Sequence, residues 1–222
     1  MRVSGSSTLA EGKINEKLVT SGSTRINGNF DCEGFKSSGT LKGSGNLSVH
    51  GDFKCSGTFR LKGSLTIEGD ARSSGSTTID GETLVKGQYV KSGTPLRAGK
   101  QIEAIEGIKL SGLSKIQGNL MSKKDVVIRG NSTVDGNIKA ENIFIGKPID
   151  MRLIIHPYKV HGNIVADNEV NIKKTFVTGD VKGRDVIIGP GSEVEGAVYY
   201  INSIEVSSRV TLAKQPVQIK DE

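Results

Sequence analysis

Few residues in this chain have the types and spacing that chemistry requires. Three histidines occur, His50, His156 and His161. Metal binding or general acid–base work needs carboxylate or thiol partners at defined spacing. His156 and His161 have Asp150 and Asp167 near them in sequence, but no local period places the four on one face, and a solvated loop accounts for them. Cys32 and Cys55 fall at inward positions of the repeat described below, one coil plus one face apart. Buried reduced cysteines act as small apolar residues, so no disulfide is expected. No Gly-x-x-x-x-Gly-Lys-Ser/Thr phosphate loop occurs. The reading is therefore no catalytic residue, no metal ligand and no cofactor.

The elements that would carry any site follow from glycine spacing. Eleven glycines stand six residues apart: Gly39, Gly45, Gly51, Gly57, Gly63, Gly69, Gly75, Gly81, Gly87, Gly93 and Gly99. Gly22, Gly28 and Gly34 keep the same step ahead of a one-residue slip. Between glycines the pattern is x-apolar-x-apolar-x, as in Leu47 and Val49 after Gly45, or Leu65 and Ile67 after Gly63. Strict alternation predicts a strand with one buried face, and glycine a corner. Ser-Gly recurs at Ser21, Ser38, Ser56, Ser74, Ser92 and Ser111, in steps of 17 to 19 residues. Three strands per repeat of about eighteen residues predict an all-β fold, a parallel β-helix with three faces. About twelve coils at about 4.8 Å each predict a rod of roughly 55–60 Å. With few rings and no Trp, the narrow core is expected to hold Val, Ile, Leu and small residues.

From Leu84 the apolar phase reads differently. Leu84, Val90, Leu96, Ile102 and Ile108 form a six-residue ladder three positions after each glycine. An odd shift moves side chains to the other face of a strand, so a bulge or rewound corner is expected near residues 82–110. The chain then divides into a glycine-hexad half, 1–110, a second half, 111–214, stacked on it as one rod, and a short tail, 215–222.

The second half repeats apolar-x-Gly-[Asn/Asp/Ala]-apolar. It reads Ile116-Gln117-Gly118-Asn119-Leu120, Val134-Asp135-Gly136-Asn137-Ile138, Val160-His161-Gly162-Asn163-Ile164, Val177-Thr178-Gly179-Asp180-Val181 and Val194-Glu195-Gly196-Ala197-Val198. The glycine steps are 18, 26, 17 and 17, and the long one places an inserted loop at residues 146–158, with Pro148 and Pro157. These units resemble the bactofilin family of polymer-forming cytoskeletal proteins, over roughly residues 111–207 and more loosely before. The resemblance implies a right-handed helix, and end-to-end assembly into non-polar filaments without bound nucleotide.

Three enzyme or binding classes share parts of this pattern. Left-handed hexapeptide acyltransferases also have eighteen-residue coils, but set the aliphatic residue directly before a small one and need a histidine base. Here the apolar residue mostly stands two before the glycine, as Val49 does before Gly51. Carbohydrate enzymes on β-helices need long loops over one sheet, for which the hexads leave no room. Thr77-Thr78 raises the idea of an ice-binding array, but no threonine row persists.

Partners follow from charge and ends. The net charge of +6 is a mild bias, with local pairs at Lys123-Lys124 and Lys173-Lys174. These offer weak contact with an acidic membrane surface. Nucleic acid is not expected, because neither aromatic stacking nor a groove-entering helix is visible. No signal peptide or apolar run of membrane-spanning length occurs, so the expected location is cytoplasmic, including the inner face of the membrane. A β-helix exposes apolar side chains and unpaired edges at each end unless capped. The expected function is thus a structural protein polymerising with itself through its ends. The candidate interface is Leu18, Ile26 and Phe30 at one end and Val206, Val210 and Leu212 at the other. The alternatives are a left-handed hexapeptide-type acyltransferase, or a non-polymerising scaffold that captures cell-envelope or cytoskeletal proteins through the loop at 146–158.

Overall fold

Alternating apolar triplets and glycine corners produce a parallel β-solenoid. The computed structural model describes residues 1–93, 95–146 and 158–221. Every strand pairing among them is parallel, with like positions stacked about one coil apart. Leu47 pairs with Leu65, and Leu65 with Thr83. One face, here the first, is a twelve-stranded sheet running from Ser6–Leu9 to Thr211–Leu212. About eleven turns of about eighteen residues separate its first and last strands. The second face stacks strands such as Leu47–Val49 and Leu65–Ile67, and the third Phe53–Cys55 and Ala71–Ser73. Near the ends, Gly12–Thr20, Phe30–Ser37, Val181–Ile188 and Val198–Val206 run on through the corner, so these two faces join into one sheet. Pairing passes residues 110 and 111 without a break: Leu96–Ala98 pairs with Ser114–Ile116, and Ile108–Leu110 with Val126–Ile128.

The corners depend on glycine for want of space. A Cβ on Gly75 would lie well inside van der Waals contact of the Gly57 carbonyl oxygen, and one on Gly57 would meet that of Gly39. Successive turns approach so closely at this corner that only a hydrogen fits. A second corner uses side chains. Asn29 Oδ1 accepts the Asn46 backbone N–H at 2.9 Å, and Asn46 Oδ1 that of Ser64 at 2.8 Å. The same ladder resumes as Asn119 to Asn137 (2.9 Å), Asn137 to Asn163 (2.8 Å), Asn163 to Asp180 (2.8 Å) and Asp180 to Ala197 (2.7 Å). The Gly-[Asn/Asp] repeat is therefore a hydrogen-bond device. Each amide or carboxylate oxygen satisfies a backbone donor one coil on that the curved corner leaves unpaired.

The core departs from expectation in two ways. It admits rings: Phe35 and Phe53 stack with centroids 4.9 Å apart, and Phe59 meets Phe53 edge-on at 5.1 Å. Stacked coils bring equivalent positions together, so one ring creates a slot that suits the next. Polar groups also enter the core. Thr20 Oγ1 donates to Ser37 Oγ at 2.9 Å, and the buried Lys91 donates from Nζ to the carbonyls of Gly75 (2.7 Å) and Ser92 (2.8 Å).

The expected phase flip at Leu84 does not occur. Leu84 and Val90 point outward, and Thr83, Val85, Tyr89 and Lys91 fill the core. The strand from Thr83 to Val85 pairs in register with Leu65–Ile67 before it and Ile102–Ala104 after it. The extra residue is taken up in the corner between Lys91 and Leu96, where Gly93 has φ of 73°. A longer corner leaves strand faces intact, whereas an insertion within a strand would reverse them. Leu96, Ile102 and Ile108 beyond the corner are inward. The loop expected at 146–158 lies almost wholly outside the described residues; the ladder resumes where Tyr158–Val160 pairs with Ser132–Val134.

Gly75→Ala should cost roughly 1–3 kcal/mol, through overpacking against backbone that cannot move aside. Ser74→Ala, one residue away and exposed, should change stability by less than about 0.5 kcal/mol. Chemical denaturation midpoints of the two variants make the comparison.

Candidate functional site

The chemistry-bearing residues do not converge. His50 is partly exposed on the flank, where Nε2 lies 2.7 Å from Asp31 Oδ1 and Nδ1 3.8 Å from Glu68 Oε2. Glu68 in turn accepts a 2.8 Å bond from Lys86 Nζ, which holds its carboxyl below the usual range. This is a surface charge ladder. His161 stands edge-on to Phe176, with centroids 6.3 Å apart, and His156 lies outside the described residues. Among the described residues no group of three His, Cys, Asp or Glu side chains could hold a metal ion. Cys32 and Cys55 are free and buried. Burial pushes the Cys32 thiol up to about 11 and raises that of Cys55. Such thiols are poor nucleophiles at neutral pH. No helix of the described residues is long and apolar enough to cross a membrane.

The end turns are built differently from the rest. At the N-terminal end, Arg2–Val3 pairs with Val19–Thr20 and Ser6–Leu9 with Ser23–Ile26. Gly12 to Ile14 pairs with Phe30 to Cys32. This stretch is a turn on all three faces. It buries Leu18, Ile26 and Phe30, which are 0%, 2% and 6% exposed. These three belong to the core one turn in and are not at the end. The outermost inward-facing residues are Val3, Leu9 and Ile14, all half-buried. The length of strand Gly12–Thr20 was not legible, because Glu16 and Lys17 interrupt the apolar pattern at its bend.

At the C-terminal end, Val210 and Leu212 are half-buried and Val206 is 44% exposed, so the expected residues do lie on the last turn. Ile204 joins them. Val217–Gln218 covers only Tyr199 and Tyr200 on the second face. Among the described residues, no strand pairs with the outer edge of Ser203 to Val206, of Thr211–Leu212, or of Ser6–Leu9. Both end turns thus present apolar side chains inside a rim of unpaired backbone groups.

A third feature was missed in sequence. On the first face the outward central positions stack as Arg25, Lys42, Arg60, Thr78, Arg97, Lys115, Thr133 and Lys159. The signal is Ser-Gly-x-x-Lys/Arg at Ser21, Ser38, Ser56 and Ser111, with one residue more at Ser92. It is spread over coil-length steps and shows no local cluster.

Comparison with protein-family models, with curated proteins and with solved structures gave no match.

The thiol environment has a consequence at high pH. The neutral thiol of Cys32 is favoured in the folded state, so its contribution is intact below the ordinary thiol value of 9.0 and is lost as pH rises to about 11. Lys91, lowered by burial, acts with the opposite sign as it loses its proton. Denaturation midpoints followed from pH 8 to 11 should fall less steeply for Cys32→Ala than for the parent, whatever constant offset the small cavity adds.

Proposed function

We propose that the chain is a structural protein that assembles end to end through its terminal turns, without nucleotide, as a cytoplasmic filament or scaffold of the kind its bactofilin-like repeats imply. The observation that carries this reading is the pair of uncovered apolar end turns. Burying apolar surface and pairing a free strand edge both favour association, at about 25 cal/mol per Å² for the apolar part.

The order of faces supports one arrangement. The first turn enters on the third face with Arg2–Val3, and the last strand, Val217–Gln218, lies on the second. A second copy placed on the C-terminal end continues the winding in step. Counting along the columns, its Val3 falls over Val206, its Leu9 over Leu212, and its Arg2 beside Glu205. Apolar side chains then stack on apolar ones and opposite charges meet across the joint. This joint is polar, unlike the non-polar filaments that the family resemblance implies.

Purified protein without nucleotide should form filaments or sedimenting oligomers in electron microscopy and ultracentrifugation. Leu9→Asp and Leu212→Asp should abolish them with unchanged circular dichroism, whereas Phe30→Asp should unfold the chain. Monomer at all salt and protein concentrations would sink the proposal. Oxidation of Arg2→Cys mixed with Glu205→Cys should yield heterodimers; homodimers from either variant alone would keep end-to-end assembly but make it non-polar.

A further inference from the structure

The first face carries six cations in eight successive outward positions. Several cations elsewhere on the rod have a carboxylate beside them. On the third face, Lys54 sits 3.2 Å from Asp52 and Arg72 3.4 Å from Asp70. At other corners Lys86 meets Glu68 at 2.8 Å and Lys124 meets Glu141 at 3.2 Å. Arg25, Lys42, Arg60, Arg97, Lys115 and Lys159 are all exposed, and among the described residues none makes an ion pair or a side-chain hydrogen bond. Over the same turns, the carboxylates on this face and its corners, among the described residues, are Asp80, Glu82 and Asp135. In-register pairing sets these positions in one column, and seven coil steps from Arg25 to Lys159 make it about 34 Å long.

Stacking cations directly opposite one another weakens a sheet, because like charges about 5 Å apart repel. Thr78 and Thr133 occupy the same position with pairing intact on both sides, so the fold accepts a neutral residue there. The cations are then explained by what they attract. Beside them runs a row of hydroxyls, Ser23, Thr40 and Thr58, in register. Lys and Arg with neighbouring Ser and Thr hydroxyls are the side chains that take phosphate oxygens in nucleic-acid complexes. Among the described residues the column and its hydroxyl row contain no aromatic residue from Arg25 to Lys159, and Tyr158 beside them is buried, so stacking on bases is not offered. Among the described residues the face has no helix to enter a groove. A duplex backbone winds away from a straight line, and a planar lipid surface would meet Asp80 and Asp135 along with the cations. An extended single strand follows the column alone.

We propose that the first face binds the phosphate backbone of single-stranded nucleic acid laid along the rod, without regard to base sequence. This does not rest on end-to-end assembly. The test is fluorescence anisotropy with a labelled oligothymidylate, using the full chain, at several salt concentrations. Six phosphate contacts give a slope of log K against log salt of about −4, or roughly 300-fold weakening between 50 and 200 mM salt. Arg60→Glu with Arg97→Glu should bring the slope to about −3 and the weakening to roughly 50-fold. Lys54→Glu with Arg72→Glu changes net charge equally on the other face and should leave the slope unchanged. Circular dichroism and thermal melting check that both doubles are folded. The proposal fails if the oligonucleotide does not bind at 50 mM salt, or if both doubles lose equally. It also fails if only anionic phosphatidylserine vesicles capture the protein.

Discussion

Everything in this rod depends on parallel strands stacking in register one coil apart. At a strand separation of about 4.8 Å, whatever stands at a given position repeats its contacts with itself. Corners that must pass this close cannot carry a Cβ, which is why Gly39, Gly57 and Gly75 follow one another in a column. Backbone donors that turn away at the opposite corner need an acceptor one coil on, and Asn137 and Asn163 supply it while being served in the same way. The constraint is local to two neighbouring turns, so stability is a sum of such steps with no distant closure to stabilise it. An end turn of such a stack has one neighbouring turn where an inner turn has two.

The repeat length, the inward apolar positions and the inward Cys32 and Cys55 were all legible in the sequence, because each rests on period alone. What failed rests on where an irregularity is absorbed. One extra residue near Gly93 lengthens the step from Ser92 to Ser111 to nineteen in the same way whether it sits in a strand or a corner. Leu84 and Val90 precede it and keep the outward positions that their pairing with Thr66 and Arg72 sets. Likewise Leu18, Ile26 and Phe30 looked terminal because the turn above them has few apolar residues. Strand pairing from Arg2 to Ile14 covers them all the same. Phe35, Phe53 and Phe59 show a third limit, since composition says how many rings exist but not that three form one cluster.

Register has a second consequence, which concerns charge. In a globular surface, neighbouring charges come from unrelated parts of the chain and tend to compensate. In a solenoid, a cation retained at one phase of the repeat is set against its own equivalents. The third face answers this with a carboxylate beside each of two cations, Asp52 next to Lys54 and Asp70 next to Arg72. Asp52 is already held below the usual carboxylate range by the Asp70 backbone N–H and by Lys54, so it serves the corner ladder and the charge ladder together. The first face has the same geometry but pairs no carboxylate with Arg60 or Arg97, although a single substitution per coil would supply one.

The two proposed roles meet at the ends of that column. Beyond Lys159 its positions are Phe176, Glu193 and Thr211, and before Arg25 it begins with Thr8. In a polar filament Thr8 of one copy would follow Thr211 of the last, so each cationic stretch would be separated from the next by four coils that carry no cation. A phosphate strand bound along such a filament would be gripped in segments of about 34 Å with gaps of similar order between them. Monomer and filament would then bind a short oligonucleotide alike, because it fits one segment. A strand long enough to bridge gaps would bind the filament more tightly through effective concentration alone. Assembly and binding would reinforce each other without any contact between the end turns and the cationic face.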